Sequence, residues 1–341
     1  MNSERILFIQ TAFIGDAILS LPAIQKLKEL FPDCQIDVLC IPQSKEIFDS
    51  SPSVSNSIVL YKKGIHKSLI ATYKFVKELK KNDYTKIYSS HRSLRTALII
   101  LMLDVRDSYG FDNASLKHIY KNLIEYDLSK HEVQRNLDLI GFDYDVNNWK
   151  IIPELRSNEN VKNKIKSYIS ENDLDRGFIA IAAGSIWETK KYPAEFYKQI
   201  VNYFIENKKA VVLIGGEKDR QLCSSLNSEN LTGVVDASGL FSIIESVELL
   251  RYSDLLLSND SAPTHFGVCA GTKVLTIYCS TIPQFGFYPY NYKSSFISYD
   301  DLYCKPCGIH GYKSCPLKTF DCAFKLSYKQ IIAKAEEMLR D

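Results

Sequence analysis

The sequence predicts an α/β protein made of two doubly wound, parallel-sheet domains. Strand-length apolar runs alternate with helical patterns, and the alternation stops near mid-chain and then restarts. At 341 residues the chain also has the length of roughly two domains. Its hydrophobic fraction of 45% and charged fraction of 24% suit packed domains of this kind.

The first domain, expected over residues 1–160, opens on Arg5-Ile6-Leu7-Phe8-Ile9-Gln10, a continuous apolar run suited to a strand buried on both faces. A short turn, 11–15, leads into a helix with Ile18, Leu21, Ile24, Leu27 and Phe31 at helical spacing. Pro22 falls inside that pattern and predicts a kink or a restart there. Further strands are expected at 35–41, 57–61, 86–90 and 108–110, with helices at 67–80 and 94–104. The polar stretches 156–163 and 173–177 read as linker.

The pattern restarts with strands at 178–183, 210–214, 233–236, 255–258 and 273–278. Between them stand helices at 194–206, 243–250 and 262–270. The second domain is expected over 175–325, and a final helix within 326–341 to pack back on the domain junction. Strand, helix, strand in both halves predicts two Rossmann-like domains facing one another across a cleft, with ligands beyond the carboxyl ends of the strands.

Composition narrows the function. Forty-two basic against 40 acidic residues leave a net charge of +2, so no nucleic-acid partner is expected. No apolar run approaches the roughly 20 residues that cross a bilayer. Ile6 to Ile9 is too short for a signal peptide and lacks a cleavage-like site, so the chain is expected in the cytoplasm.

Six turns after strands carry groups able to do chemistry. Asp16 opens the first helix, either as a helix-start acid or as a general base held on a rigid turn. Ser185 and Lys190, in Gly184-Ser185-Ile186-Trp187-Glu188-Thr189-Lys190-Lys191-Tyr192-Pro193, combine a small hydroxyl turn with cations. Such a turn can hold a diphosphate and balance its charge, or the lysines are ordinary solvated charge. Gly215-Gly216-Glu217 permits close backbone approach and a ribose-binding carboxylate, or is a plain turn. Asn259-Asp260-Ser261-Ala262-Pro263-Thr264-His265 starts a helix whose free N–H groups suit a diphosphate, with His265 one turn in. Arg92 and Arg95 follow a strand of the first half, where their forks match phosphates or carboxylates. Lys62, Lys63 and Lys67 follow another, and read as solvated charge or as part of the same anion site. The glycine fingerprint of nicotinamide enzymes is absent after the first strand.

Together these turns resemble glycosyltransferase family 9, the ADP-heptose:lipopolysaccharide heptosyltransferases. Ile6-Leu7-Phe8-Ile9 through Ile14-Gly15-Asp16 to Leu21-Pro22-Ala23 is similar to the family's opening strand, Gly-Asp turn and Leu-Pro helix. Gly184-Ser185 to Lys190-Lys191-Tyr192-Pro193 resembles its lysine-aromatic-proline loop, and 259–266 its Asn-Asp-Thr-Gly-Pro-x-His signature. The resemblance implies a GT-B fold with the acceptor on the first domain and the nucleotide-sugar on the second. It implies an inverting transfer of a heptose-type sugar from an ADP-sugar to a phosphorylated or acidic lipopolysaccharide inner-core acceptor, with no cofactor needed for catalysis. Asp16 would be the base and Lys190 the group that neutralises the leaving diphosphate. Ser185, Gly215, Gly216, Glu217, Leu240, Phe241, Asp260, Ser261, Ala262 and His265 would bind the donor, and Arg92 and Arg95 the acceptor. Contact with the inner face of the cytoplasmic membrane would be peripheral, through the acceptor alone.

Two departures from the family pattern bear on the sugar: Ser261-Ala262 in place of Thr-Gly, and Ser185-Ile186 with one hydroxyl instead of two. Alternatives are a heptosyltransferase acting on protein serines, a transferase of another nucleotide sugar, and a non-catalytic nucleotide-sugar-binding protein. The nine cysteines include a cluster, Cys304, Cys307, Cys315 and Cys322, whose leading C-x2-C suggests a structural zinc or iron site, or else reduced thiols. His310 is a substitute ligand.

Overall fold

The computed structural model describes residues 4–340, which form two compact units divided between Arg156 and Ser157. In the first unit β1 (Arg5–Ile9), α1 (Ile14–Leu30), β2 (Gln35–Cys40), α2 (Lys45–Asp49), β3 (Asn56–Val59) and α3 (Leu69–Leu79) come first. They are followed by β4 (Lys86–Ser89), α4 (Leu94–Leu103), β5 (Asp107–Phe111), β6 (Asn122–Ile124) and α5 (Glu132–Leu139). The second unit runs α6 (Glu159–Glu171), β7 (Phe178–Ala182), α7 (Ala194–Glu206), β8 (Ala210–Leu213), α8 (Arg220–Leu226), β9 (Val234–Asp236) and α9 (Ile243–Leu250). It closes with β10 (Leu255–Asn259), α10 (Ala262–Ala270), β11 (Val274–Tyr278), β12 (Ser295–Ser298), α11 (Asp321–Phe324) and α12 (Tyr328–Arg340).

Both sheets are parallel and six-stranded, with orders β3-β2-β1-β4-β5-β6 and β9-β8-β7-β10-β11-β12, so the same winding occurs twice. Each reverses direction at its centre, between β1 and β4 and between β7 and β10. Loops leaving these strand pairs diverge to opposite faces and leave a crevice beyond the strand ends.

Burial explains why these segments are strands. Every residue of β7, β10 and β11 is buried, as a strand covered by helices on both faces requires. Ile179, Ile181, Leu255, Leu257, Leu275 and Ile277 form one core with Tyr197, Ile200 and Phe204 of α7 and Ile331, Ala335 and Met338 of α12. In the first unit Leu7, Ile9, Leu39 and Ile87 pack on Val76 and Leu79 of α3 and Ile99, Ile100 and Leu103 of α4. Side-chain caps set the helix starts: Ser68 accepts from Ala71 N, Ser93 from Thr96 N and Asn158 from Val161 N.

Pro22 neither stops nor restarts its helix: α1 is continuous from Ile14 to Leu30. The helix is buried on all sides from Ala17 to Ile24, and the buried Asn136 of α5 donates to Leu19 O at 3.4 Å. The stretch 156–163, expected as linker, enters α6, because Asn158 caps it and Ile165 and Ile169 give it a buried face. The final helix packs on α7 within the second unit.

Candidate active site

Three groups of the first unit gather at the ends of β1 and β4. Asp16 lies in the first turn of α1, half-buried, directly after the β1 turn. Burial pushes its carboxyl up to about 7, and the nearby Glu132 carboxylate adds to the rise, while the N–H groups of Asp16 and Phe13 and the Arg92 guanidinium oppose it. Glu132 is buried at the start of α5, where it accepts from Tyr126 Oη (2.9 Å) and the fully buried Arg135 (2.8 Å). Arg92 lies over the Tyr126 ring at 3.9 Å, and Arg135 over the same ring at 4.7 Å.

The neighbouring His91 shares Nδ1 with Thr11 Oγ1 (2.8 Å) and Thr96 Oγ1 (2.9 Å). Burial, Lys62 and Arg92 push it down to about 4, so it is neutral near pH 7. Lys62 donates to Thr11 O at 2.7 Å, and burial together with Arg95 pushes it down to about 8. Gln10 Nε2, Ser90 Oγ and Asn136 Oδ1 are linked at 3.1 and 2.6 Å, which joins the ends of β1 and β4 to α5. Of the two arginines expected at an acceptor site, only Arg92 stands in the field of Asp16. Arg95 turns its fork onto the carbonyls of Lys62, His66 and Lys67 at 3.3, 3.0 and 3.0 Å.

In the second unit the loops after β7 and β10 are joined by one side chain. Asn259 Oδ1 accepts from Tyr192 N (3.1 Å) and Tyr197 Oη (3.0 Å), and its Nδ2 donates to Ala183 O (2.7 Å). Lys190 is thereby brought to Asp260, with Nζ 2.6 Å from Oδ2, and Thr281 Oγ1 donates to the same oxygen at 2.7 Å. Ser261 Oγ donates to Gly184 O at 3.4 Å, and Ala262 and Pro263 begin α10. His265 is 4% exposed, and its buried Nδ1 has no hydrogen-bond partner. Burial, aided by Lys190 and opposed by Asp260, pushes it down to about 4. The result is a helix N-terminus, an ammonium paired with the Asp260 carboxylate and an imidazole with an unpartnered Nδ1 within one electrostatic neighbourhood, a setting in which the helix N–H groups and the ammonium can meet an anion.

Around this centre Ser185 Oγ accepts from Trp187 N at 3.3 Å. Asp219 fills the space between two glycine turns. A Cβ on Gly184 would collide with its carboxylate, a Cβ on Gly215 would stand 2.7 Å from its Cβ, and Gly216 N donates to Asp219 Oδ2 at 2.9 Å. Glu217 is exposed and accepts from Arg220 Nε at 2.7 Å. Its Oε2 lies where a Cβ on the left-handed Gly239 would stand, so Glu217 and the turn before Leu240 are neighbours. Leu240 is exposed, whereas Phe241 packs edge-on against Tyr168 of α6 with 4.8 Å between ring centroids.

Among the described residues no three His, Cys, Asp or Glu side chains are grouped to hold an ion, so a structural metal at the cysteine cluster is without support. Cys322 sits on α11 with its side chain in the second core beside Cys279, while its thiol stays in the field of Cys304, Cys307 and Cys315. The cysteine-rich segment nevertheless reaches the site. Tyr312 N donates to Thr189 Oγ1 (2.7 Å), Thr189 N to Tyr312 O (3.1 Å), and Cys307 N to Ser280 O (2.8 Å).

A family model described as glycosyltransferase family 9 (heptosyltransferase) matches residues 72–315. The chain belongs to glycosyltransferase family 9. This family 9 chain is a glycosyltransferase, and it is 25% identical over 298 residues to lipopolysaccharide heptosyltransferase 1 of Campylobacter coli, covering 81% of this chain and 84% of that one. Two solved structures share its fold. The glycosyl transferase family 9 protein of Veillonella parvula superposes with a TM-score of 0.86 at 20% identity, covering 99% and 98% of the two chains. The E. coli ADP-heptose lipopolysaccharide heptosyltransferase II gives 0.79 at 18% identity, covering 98% of each. Both α/β units of this family 9 chain thus lie within the GT-B architecture. No described helix is long and apolar enough to cross a membrane.

The sequence alone did not single out Glu132, Tyr126, Thr189 or Thr281. Glu132 lies in a polar run that looks solvent-exposed until Arg135 is seen to neutralise it in the interior. Thr189 and Thr281 carry no signal beyond their closeness to Lys190 and to the end of β11.

Proposed function

We propose that this chain is an inverting heptosyltransferase that moves a heptose-type sugar from an ADP-sugar onto the lipopolysaccharide inner core at the cytoplasmic face of the membrane. The observation that carries the reading is the paired Lys190 and Asp260 at the start of α10 beside the unpartnered Nδ1 of His265. The names of the C. coli and E. coli relatives support the sugar and the acceptor class.

In this reading the first unit binds the acceptor and the second the donor. The acceptor hydroxyl oxygen attacks the anomeric carbon, forming a C–O bond as its proton passes to the Asp16 carboxylate. The bond from that carbon to the diphosphate breaks, its electron pair leaves with ADP, and the configuration inverts. Lys190 and the N–H groups of α10 meet the charge that develops on the leaving oxygen, so the protein supplies without a metal the stabilisation a cation would give. Neutral His265 completes its hydrogen bonding on a donor oxygen or hydroxyl. Ser185, Ser261 and Ala262 line the diphosphate and sugar. Gly215 and Gly216 let the ligand approach the backbone, Glu217 holds the ribose, and Leu240 and Phe241 flank the adenine. Arg92 meets an acidic group of the acceptor, whereas Arg95 acts through the loop it holds.

The test is titration with ADP, UDP and GDP, followed by turnover of ADP-heptose with a truncated core acceptor. Preferential ADP binding, with turnover lost in Asp16→Ala while donor binding survives, supports the whole assignment. Preference for UDP or GDP replaces the sugar and keeps the reaction type.

A further inference from the structure

The segment between Asp49 and Glu78 holds five lysines, Lys62, Lys63, Lys67, Lys74 and Lys77, and no acidic residue. Within it four large apolar side chains stand out in solvent: Ile65 is 73% exposed, Leu69 73%, Ile70 72% and Tyr73 59%. Leu69 and Tyr73 are four apart on α3 and Ile70 and Tyr73 three apart, so they share one face, while Thr72, Val76 and Leu79 face the core. Lys74 and Lys77 follow Ile70 and Tyr73 at the same four-residue spacing, placing cations along the edge of the apolar face.

The loop that presents Ile65 is held firmly. The Arg95 guanidinium binds three of its carbonyls, the His66 ring packs tilted against Phe75 with centroids 4.3 Å apart, and Thr72 Oγ1 donates to His66 O at 3.1 Å. The same loop sends Lys62 to the carbonyl of Thr11, in the turn that leads to Asp16. A rigid loop tip that displays isoleucine and leucine to water incurs a solvation cost, which an apolar surface would remove.

We propose that the loop 61–68 and the first two turns of α3 dock the protein on an anionic lipid bilayer. Protruding aliphatics need no shaped pocket in the headgroup layer, lysines at their margin meet anionic headgroups, and Tyr61 and Tyr73 suit the interface with water. A nucleic-acid strand would instead call for stacking aromatics with arginine, and the exposed cations of this segment are all lysines. The proposal rests on the glycolipid reading only for the nature of the acceptor, and adds a direct contact between the protein and the bilayer beside the Asp16 turn.

The experiment is co-sedimentation of the full chain with phosphatidylcholine vesicles and with vesicles containing phosphatidylglycerol, at low salt and at 0.5 M salt. Wild type is expected to partition at least tenfold better onto the anionic vesicles, with the preference lost in high salt. Ile65→Ser/Leu69→Ser/Ile70→Ser and Lys74→Glu/Lys77→Glu are each expected to lose tenfold or more while turning over a water-soluble acceptor as wild type does. In Ile65→Trp the added indole is expected to shift to the blue on anionic vesicles, a readout independent of the multiple variants. No binding by wild type, or equal binding by the variants, overturns the docking surface and leaves the transferase reading intact, since that reading is tested by turnover in solution. Dissociation of a dimer by the serine variant, with lipid binding unchanged, also overturns it and assigns the face to a second copy of the chain.

Discussion

Lys190 Nζ stands 2.6 Å from Asp260 Oδ2, and the two side chains are only 13% and 10% exposed. The pair joins the loop after β7 to the start of α10 and leaves the ammonium at the helix N-terminus, so it is at once a structural tie and a source of positive charge. The two roles separate experimentally. Lys190→Ala is expected to lower kcat about 10²–10³-fold, as removal of a group that stabilises developing charge does. It also strands the Asp260 carboxylate and lowers Tm. Adding Asp260→Asn is expected to restore much of the Tm without restoring kcat, as thermal melts run beside initial-rate kinetics would show.

The raised carboxyl of Asp16 gives a pH dependence of defined sign. The base acts when ionised, so kcat/KM should rise with pH through about 7 and level off above it, and Asp16→Asn should remove that limb with a loss of about 10²–10⁴-fold. Stability runs the other way. With a native value near 7 against an ordinary 3.8, the folded state holds the proton more tightly. The stability it contributes is present at low pH and declines as pH rises through that window. Asp16→Asn is therefore expected to be more stable than wild type at pH 8, by on the order of 1–3 kcal/mol given partial exposure, and no more stable at pH 4. Denaturant midpoints at the two pH values check this.

His265 is held neutral by burial and carries an unpartnered Nδ1. Its contribution to donor binding should then be flat from pH 5.5 to 8, because its own titration lies near 4. His265→Ala is expected to weaken ADP-sugar binding by about 1–3 kcal/mol, the cost of leaving a buried partner group unpaired, at every pH in that range. Isothermal titration at three pH values would reveal a dependence if the imidazole instead bound as a cation.

Gly184→Ala drives a methyl group into Asp219, whose carboxylate also accepts from Gly216 N. The expected result is a loss of roughly 1–3 kcal/mol of stability with weaker donor binding, from one overpacked contact. Gly184→Ala/Asp219→Ala should recover stability by clearing the collision while donor binding stays impaired, because the turn at Gly215 and Gly216 has lost its brace.

Much of this was legible in the chain. Continuous apolar runs marked β1, β7, β10 and β11, since strands buried on both faces leave little room for polar residues. Asp16, Lys190, Asp260 and His265 were visible because each follows such a strand. The edge strands β6 and β12 escaped notice: three or four residues with half-exposed patterns carry too little periodicity. Helix α5 was missed because its inward residues include Glu132, Arg135 and Asn136, polar groups whose burial is made tolerable only by one another. Arg95 reads as an anion ligand in sequence, and nothing local reveals that backbone carbonyls about 30 residues upstream claim its fork. The cysteine spacing correctly marks four neighbouring thiols, but a one-dimensional interval does not say that Cys322 is also part of the apolar core.

Residues 299–320 contain neither helix nor strand; bonds from Thr189, Ser280 and Lys305 tie them down, the Lys305 ammonium reaching Tyr299 O at 3.0 Å and Tyr278 O at 3.3 Å, and Tyr299, Leu302 and Phe320 pack on the second core. A segment without ladder or helix bonds opens at a lower free energy than the sheet it lies against. Each opening frees Thr189, the neighbour of Lys190, so catalytic competence is expected to melt below the global fold. On heating, amide exchange should first become rapid at Tyr312 and Thr189, and activity should vanish while both parallel sheets are still intact.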